Sequence, residues 1–280
     1  MGVNKNIFIR TKDFLVSGEE FNLMFCEEFD FLKTDPVPAA DKLQDYYKST
    51  EYISHTDSKR GIFDFVYAVV KLISIKKKAG YIESKVSKGS ILDVGIGTGD
   101  FLVELQKRGW DVYGTEPNPD ARKKAESKGL FPVSDLGKFQ NHRFDVITLW
   151  HVLEHIPDLF TTVELLAGLL KPGGLLIIAV PNYKSYDAEF YGKYWAAYDV
   201  PRHIYHFSKT SIKKIFKSDF ILEEIKPLVF DSYYVSLLSE KYKTGKKISL
   251  KSIFTGWRSN RKAKKSGEYS SLIYCLKRKG

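Results

Sequence analysis

The sequence predicts an α/β fold in which a mostly parallel sheet carries helices on both faces. From Ser90 onwards, short apolar runs alternate with amphipathic segments, and a glycine follows two of those segments directly. Such alternation is typical of strand–helix–strand units, whose strands run parallel and whose helices cover both faces of the sheet. The predicted strands are Ile91–Val94, Val112–Thr115, Leu130–Val133, Phe144–Leu149, Leu175–Val180, Phe220–Ile225 and Ser271–Lys277.

The predicted helices follow from apolar residues that recur every three or four positions. A helix over residues 61–86 is predicted from a stripe that begins with Phe63 and Val66. Gly109 and Gly129 each end a predicted helix, as expected because glycine is favoured directly after a helix C-terminus. The further predicted helices are Phe101–Arg108, Asp120–Lys128, Leu159–Leu170 and Ser208–Lys217.

The first 60 residues are predicted to form an N-terminal extension that consists of a small β-hairpin and a short helix. Short runs rich in aromatic and branched side chains are typical of strands, and Ser17-Gly18 marks a turn between two of them. Residues 61–280 then form the main domain, with a basic insertion at about 237–265. The strand-like runs of the extension are Ile7–Arg10, Phe14–Val16, Phe21–Cys26 and Phe29–Lys33.

Composition limits the class of protein and its compartment. The chain has 280 residues, two cysteines and a formal net charge of +10. Cys26 and Cys275 are too few and too far apart for a disulfide framework, and the N-terminus lacks the apolar segment of a secretory signal. The longest apolar stretch, Ile62–Ile75, contains Asp64 and Lys71 and is too short to span a bilayer. We therefore expect a cytoplasmic protein.

A glycine-rich loop follows the first strand of the alternating region. Gly95, Gly97 and Gly99 allow tight backbone turns and close approach to a ligand. The helix that follows offers free amide groups at its N-terminus. Asp93 precedes the loop, and Glu116 ends the next strand, where an acid can accept hydrogen bonds from ribose hydroxyls. This pattern predicts a site for a cofactor that contains a ribose.

Two classes of cofactor use such a loop. Dinucleotide sites usually carry a glycine at the sixth position of the motif, and that position is Asp100 here. An aspartate near the ligand, such as Asp93, suits a cationic amino-acid cofactor better than a diphosphate. The residues therefore favour a sulfonium cofactor over a dinucleotide.

These residues resemble the motifs of class I S-adenosylmethionine-dependent methyltransferases, in the branch that includes ubiquinone-biosynthesis O-methyltransferases and many bacterial enzymes. The resemblance covers about residues 60–230 and rests on LDVGIGTGDF, YGTEPNP, FDVITLWHVLEHIPD and LKPGGLLIIAVPN. It implies a Rossmann-like seven-stranded sheet whose last two strands form a reversed hairpin edge. It also implies S-adenosylmethionine as the methyl donor and S-adenosylhomocysteine as the product.

The resemblance further implies which residues bind the cofactor. The glycine loop would line the methionine end, Glu116 would hold the ribose, and the residues after the third strand would contact adenine. The end of the fourth strand would form the floor of the pocket. The implied cofactor-binding residues are Asp93, Gly95, Gly97, Gly99, Glu116, Pro117, Asn118, Ser134, Asp135, Leu136, Leu149, Trp150 and His151.

The implied reaction is methyl transfer to a small-molecule, lipid-precursor or saccharide acceptor, and the interpretation that the accepting atom is an oxygen is preferred to a nitrogen or a carbon. Methyl transfer is a direct displacement, so the protein mainly aligns the reactants and excludes water. One alternative is a non-catalytic cofactor-binding protein, against which the intact glycine loop and Glu116 argue. Another is a nucleic-acid methyltransferase, but residues 149–152 read LWHV instead of an amino-methylation motif such as Asn-Pro-Pro-Tyr.

Histidines in two segments are candidates for a catalytic base. His151, Glu154 and His155 are spaced to lie near one face of a helical turn. In quinone O-methyltransferases of the resembled branch, this segment has been associated with a divalent metal, and its first position is usually acidic. Because that position is His151 here, we expect no metal, with Glu154 and His155 ordering the loop through hydrogen bonds.

The second segment, residues 195–206, follows the fifth strand and reads WAAYDVPRHIYH. Substrates of open parallel sheets bind beyond the carboxyl ends of the strands, and histidine titrates near neutral pH. We therefore expect His203 to act as the base or to bind the acceptor, with Asp199 orienting it. The alternative is that Asp199 forms a salt bridge with Arg202 that fixes the loop.

The basic insertion and the N-terminal hairpin complete the predictions. From Lys241 to Lys265 there are ten Lys or Arg residues and no acid, interspersed with apolar residues. This pattern is typical of an amphipathic helix on an anionic membrane, and it equally suits a cap over an acidic substrate. Nucleic acid is disfavoured because no nucleic-acid-binding module accompanies the charge. Related proteins often carry a zinc-ribbon-like hairpin, but Phe29 replaces the cysteine expected after Cys26, so we expect no zinc.

Overall fold

The computed structural model describes residues 6–47, 62–246 and 249–280. The strands are β1 Ile7–Lys12, β2 Glu20–Cys26, β3 Phe31–Asp35, β4 Ser90–Val94, β5 Asp111–Thr115, β6 Phe144–Trp150, β7 Leu170–Pro181, β8 Tyr205–His206, β9 Phe220–Pro227 and β10 Ser271–Arg278. The helices are α1 Ala40–Leu43, α2 Ile62–Glu83, α3 Asp100–Lys107, α4 Pro119–Glu126, α5 Leu159–Leu169, α6 Tyr186–Tyr191, α7 Lys209–Phe216, α8 Asp231–Thr244 and α9 Leu250–Ser266.

The larger sheet confirms the predicted α/β class. Its strand order is β5-β4-β6-β7-β10-β9, and β4 runs parallel to both β5 and β6. The predicted third strand, Leu130–Val133, is wrong as an extended strand: it is reduced to one bridge between Val133 and Thr115, so the sheet has six strands. Pro132 lacks the N–H that a ladder needs and Phe131 is 89% exposed, so the pairing is limited to the backbone hydrogen bonds of Val133 with Gly114 and Glu116.

The chain forms two compact units. The first comprises Met1–Ser49, His151–Val163 and Ile178–Leu276, and the second comprises Thr50–Trp150, Glu164–Ile177 and Lys277–Gly280. The predicted boundary between the extension and the main domain, at residues 60 and 61, lies outside the described residues.

The second unit is organised around β4. Ile91 and Leu92 are fully buried, as expected for a strand that pairs on both sides and is covered on both faces. Gly114 on β5 allows close packing, because a Cβ there would lie 2.6 Å from Cγ2 of Ile96. Because β4 is paired on both sides, the position of its carboxyl end along the sheet is fixed, and the loop that follows begins there.

The first unit contains the predicted N-terminal hairpin, enlarged to a four-stranded sheet of order β1-β2-β3-β8. The predicted run Phe14–Val16 is wrong as a strand, because these residues form a turn. The carboxylate of Asp13 accepts hydrogen bonds from the amides of Leu15, Val16 and Ser17, and these bonds replace a strand ladder.

A buried arginine ties this turn to the segment that follows β7. Arg202 is 1% exposed and donates to Oδ1 of Asp13 at 2.8 Å and to Oδ1 of Asp199 at 2.7 Å. It also donates to the carbonyl of Tyr46 at 2.9 Å. The salt bridge between Asp199 and Arg202 that the sequence offered as an alternative is therefore formed.

The basic insertion folds as α8 and α9. The two helices pack antiparallel, because the side chain of Asn260 donates to the carbonyl of Val229 while Lys251 lies 4.0 Å from Glu240. Gly256 permits the close approach, since a Cβ there would lie 2.9 Å from Cα of Tyr233. Among the helices that the structure describes, none has the length and apolar character to cross a bilayer.

We predict that Arg202→Met lowers the free energy of unfolding by about 3–5 kcal/mol, because it leaves the buried carboxylate of Asp13 without its counter-charge. Urea denaturation measures the loss. The matched control is Lys171→Met, which removes an exposed ion pair with Asp145 and should cost no more than about 1 kcal/mol. Equal small losses in both variants would contradict a structural role for Arg202.

Candidate functional site

The glycine loop turns back over the end of β5. Gly95, Gly97 and Gly99 have φ angles of +71°, +55° and +80°, a region that favours glycine. The amides of Gly95 and Ile96 both donate to the carbonyl of Thr115, at 2.8 and 3.0 Å. A side chain at Gly99 would also collide with Leu130, whose Cδ1 lies 2.5 Å from the position of a Cβ. These φ angles, hydrogen bonds and close contacts define the shape of the loop.

The carboxylate of Glu116 joins this loop to the segment after β5. Its Oε2 accepts from the amide of Gly97 at 2.8 Å, and its Oε1 accepts from the amide of Asn118 at 2.9 Å. Glu116 is only 8% exposed. Each carboxylate oxygen accepts more than one hydrogen bond, so both retain capacity for ligand hydroxyls.

Asp93 is held inside the sheet by a residue that the sequence did not single out. Its Oδ1 accepts from Oγ1 of Thr148 on the neighbouring strand at 2.6 Å. Burial raises the pKa of Asp93 to about 7, although the hydrogen bond from Thr148 and the charge of Lys78 oppose the rise. Asp93 therefore titrates near neutral pH.

Asp100 places a negative charge at the N-terminus of α3. Its carboxylate accepts hydrogen bonds from Lys71 and Lys128, both at 2.6 Å. Burial alone would raise the pKa of Asp100, but the hydrogen bonds from Lys128 and Lys71 lower it. An ionised carboxylate here already interacts with the helix dipole and disfavours a diphosphate at this position.

Asn118 and Pro117, which were predicted to lie beside the ribose, both make hydrogen bonds within their own segment. The side chain of Asn118 caps α4 by accepting from the amides of Asp120 and Ala121. Pro117 is exposed, and its carbonyl accepts from Arg122 at 2.8 Å.

The segment after Val133 is more open. Oγ of Ser134 donates to Oδ2 of Asp135 at 2.7 Å, and both residues are exposed. Leu136 is half-buried and begins a short 3-10 turn.

The residues predicted to form the floor of the cofactor pocket lie at the end of β6. Leu149 is fully buried. The half-buried ring of Trp150 packs edge-on against Phe101, with a centroid distance of 5.7 Å. Nζ of Lys78 lies 4.3 Å from the centroid of Trp150. Nε1 of Trp150 is buried and has no hydrogen-bond partner within the described chain.

His151 follows Trp150 directly and belongs to the first unit. Its Nε2 lies 3.2 Å from Oδ2 of Asp231, and its Nδ1 lies 3.5 Å from Oε1 of Glu154. Burial by itself lowers the pKa of His151, but Asp231 and Glu154 outweigh this effect and raise the pKa to about 9. His151 is therefore an imidazolium at neutral pH. The sequence did not predict the role of Asp231, because this residue lies on α8, remote from His151 in the chain.

Glu154, His155 and His203 form a compact cluster, and one potential ligand atom from each lies within 4.8 Å of the others. Glu154 is 1% exposed, and neither of its carboxylate oxygens accepts a hydrogen bond from any residue that the structure describes. Burial by itself raises the pKa of Glu154, but the imidazoles of His151, His203 and His155 lower it. The carboxylate is thus balanced by charge, whereas the sequence predicted hydrogen bonds.

Backbone carbonyls orient the two other imidazoles of the cluster. Nδ1 of His155 lies 3.0 Å from the carbonyl of Arg202, and Nδ1 of His203 lies 2.9 Å from the carbonyl of Ala197. A carbonyl only accepts, so in each ring Nδ1 carries a hydrogen that points to the carbonyl. Burial and the neighbouring His203 lower the pKa of His155 to about 4, so its ring is neutral at neutral pH.

Asp199 does not orient His203 in the way the sequence suggested. Its Oδ1 binds Arg202, and its Oδ2 is 4.0 Å from Nε2 of His203, beyond hydrogen-bond distance. His206 points into the N-terminal sheet, where Nε2 lies 3.1 Å from Oγ1 of Thr34. Burial lowers the pKa of His206 well below its usual value.

Comparison with known proteins identifies a family. A family model described as a methyltransferase domain matches residues 71–219, more than half of the chain. The ubiquinone biosynthesis O-methyltransferase of Actinobacillus pleuropneumoniae is 32% identical over 156 residues, which are 50% of this chain and 65% of that protein. Its counterpart in Acinetobacter baumannii is 30% identical over 152 residues, which are 49% of this chain and 62% of that protein. The chain thus covers less than two thirds of the length of these relatives.

Solved structures share the fold. The magnesium protoporphyrin IX methyltransferase of Synechocystis has a TM-score of 0.56 and 16% identity, covering 86% of this chain and 100% of that one. The phosphoethanolamine N-methyltransferase 2 of Haemonchus contortus has a TM-score of 0.52 and 17% identity, covering 89% and 61%. The predicted fold class and family are confirmed. The chain belongs to the methyltransferase domain family, among the class I S-adenosylmethionine-dependent methyltransferases.

Proposed function

We propose that the protein transfers the methyl group of S-adenosylmethionine to an oxygen of a small-molecule or lipid-precursor acceptor. The observation that carries the proposal is the buried carboxylate of Glu116, which is held by the amides of Gly97 and Asn118 and has lone pairs left for two ribose hydroxyls. The carboxylate of Asp100 at the N-terminus of α3 further favours a cationic cofactor over a diphosphate. Structures of the same fold hold S-adenosylmethionine and S-adenosylhomocysteine.

The curated relatives favour oxygen as the acceptor atom, because they are O-methyltransferases of ubiquinone biosynthesis.

In the proposed reaction, His203 accepts the proton of the acceptor hydroxyl. The oxygen attacks the sulfonium methyl carbon, the carbon–sulfur bond breaks, and its electron pair stays on sulfur, giving S-adenosylhomocysteine. The hydroxyl proton passes to Nε2 of His203, which has a lone pair when the ring is neutral, because Nδ1 donates to Ala197. Asp199 then acts through Arg202 as a positioning residue for this segment.

We assign His151 a different role. Its imidazolium, held by Asp231 and Glu154, attracts the oxygen as that atom becomes more negative during attack. An imidazolium cannot accept the proton of the acceptor hydroxyl. His151 therefore provides positive charge, and His203 accepts the proton.

The residues present do not fit the divalent metal associated with this segment in related quinone methyltransferases. The position that is usually acidic is His151, whose imidazolium already balances the charge of Glu154. A metal on Glu154 would lie against that positive ring. Although the spacing of Glu154, His155 and His203 resembles a set of metal ligands, the proposed reaction needs no metal.

We predict that Glu116→Gln weakens S-adenosylhomocysteine binding about 10- to 100-fold, because an amide replaces a charged acceptor of ribose hydrogen bonds. Isothermal titration calorimetry measures the affinity. Glu126→Gln, on the exposed surface of α4, is the matched control and should leave binding unchanged. A wild-type protein that binds neither S-adenosylmethionine nor its product would refute the proposed cofactor.

We predict that His203→Gln lowers kcat about 100-fold or more, since a proton acceptor is lost, while cofactor affinity stays within about twofold. His142→Gln, an exposed histidine, is the control. Both enzymes and the wild type are assayed after chelator treatment. Loss of wild-type activity on chelation, restored by a divalent cation, would instead identify His203 as a metal ligand.

We predict that kcat/KM falls on the alkaline side with a midpoint near pH 9, because His151 loses its charge there. Asp231 raises the pKa of His151, so Asp231→Asn should move this midpoint to lower pH. Asp219→Asn, in the turn before β9, should leave it in place. An alkaline midpoint that is the same in all three proteins would exclude the proposed role of His151.

A further inference from the structure

The outward face of α9 carries an apolar stripe that the fold does not cover. Leu250, Ile253, Phe254 and Trp257 recur at spacings of three and four, so they share one face of the helix. They are 83%, 53%, 56% and 43% exposed. The rings of Phe254 and Trp257 lie together, with centroids 5.5 Å apart.

The opposite face of α9 accounts for its packing. The buried residues of the helix are small: Ser252, Thr255, Gly256, Ser259 and Ala263. Gly256 lies against α8, where the hydroxyl of Ser232 donates to its carbonyl, and the hydroxyl of Ser259 donates to Asp187 on α6. The large apolar residues of α9 are therefore not needed to hold the helix in place, and their exposure is unfavourable unless another surface covers them.

The charge of α9 is entirely positive and is arranged around the stripe. Lys251, Arg258, Arg261, Lys262, Lys264 and Lys265 are exposed, and the helix has no acid. The outward face is apolar in its first half and cationic in its second, where Arg261 stacks on Trp257 at 5.3 Å. On one flank, Arg258 and Lys262 lie over the ring of Tyr186.

We propose that this face of α9 docks on the surface of an anionic lipid bilayer. The apolar half would enter the boundary between headgroups and acyl chains, and the cationic half would meet the headgroup phosphates. A second copy of the chain fits less well, because it would bring an equally cationic helix to the same face on a protein with a net charge of +10. Nucleic acid would pair with the cations but would leave the apolar residues exposed.

The test is co-sedimentation of the full chain with extruded vesicles, made of phosphatidylcholine alone or mixed with phosphatidylglycerol. We predict binding to the mixed vesicles that weakens as salt is added, and little binding to the neutral ones. The double variant Phe254→Ser/Trp257→Ser should bind about tenfold or more weakly, because it removes the inserted apolar area. Lys264→Ala/Lys265→Ala should also bind about tenfold or more weakly to mixed vesicles. Neither acceptor nor cofactor is present, so the outcome is independent of the proposed reaction.

Two controls make the result specific to α9. Ile221→Ser removes an apolar side chain that is 55% exposed on β9 and should leave binding unchanged. Trp257 is more exposed than Trp110 and Trp195, which are 4% and 2% exposed. A blue shift of tryptophan fluorescence on vesicles should therefore disappear in Trp257→Phe. Circular dichroism checks that each variant is folded.

Several outcomes would overturn the proposal. If the wild-type protein did not bind anionic vesicles, or if Phe254→Ser/Trp257→Ser still bound them as the wild type does, this face would be excluded as a lipid contact. If inorganic phosphate displaced the protein from the vesicles more strongly than sodium chloride of the same ionic strength, the helix would carry a site for free anions instead of a lipid contact. Self-association in sedimentation velocity without lipid, abolished by Phe254→Ser/Trp257→Ser, would show that a second copy covers the stripe.

Discussion

The parallel pairing of β4 with both β5 and β6 is the constraint on which the candidate cofactor site depends. Val94 lies opposite Thr115 on one side and Leu149 on the other, so the three strands reach the same level. Parallel strands end at one edge of a sheet, and the loop after β4, Glu116 and Trp150 all emerge there. A shift of one residue in β4 would move Asp93 away from Thr148 and reverse the face on which it lies.

The local parts of this site were predictable from the sequence. The loop residues Gly95, Gly97 and Gly99 have the positive φ angles that their spacing implied, and Glu116 ends its strand as predicted. These features depend on the backbone preferences of a few consecutive residues, so a short segment of sequence is enough to predict them. The role of Asp100 could also be anticipated, although its lysine partners lie outside the motif.

What the sequence could not provide are contacts between segments remote in the chain. His151 looked like one member of a local His-Glu-His turn, but the acid that raises its pKa, Asp231, comes from the first turn of α8. Asp199 lies close to His203 in sequence, yet the stronger attraction of Arg202 and the backbone bond to Ala197 separate their roles. A periodic pattern reports which face of an element is apolar. It does not report which distant charge reaches a given side chain.

Strained backbone at His151 and Asp199 supports the view that side-chain contacts, more than local preference, fix the geometry of the histidine segment. Their φ angles are +57° and +34°, which cost about 1–3 kcal/mol for residues other than glycine. Each side chain makes an ion pair that this conformation permits: His151 with Glu154 and Asp231, and Asp199 with Arg202. A glycine would relieve the strain but would remove the charge. Retaining a charged side chain in an unfavourable conformation is expected where the position of that charge matters more than the stability it costs.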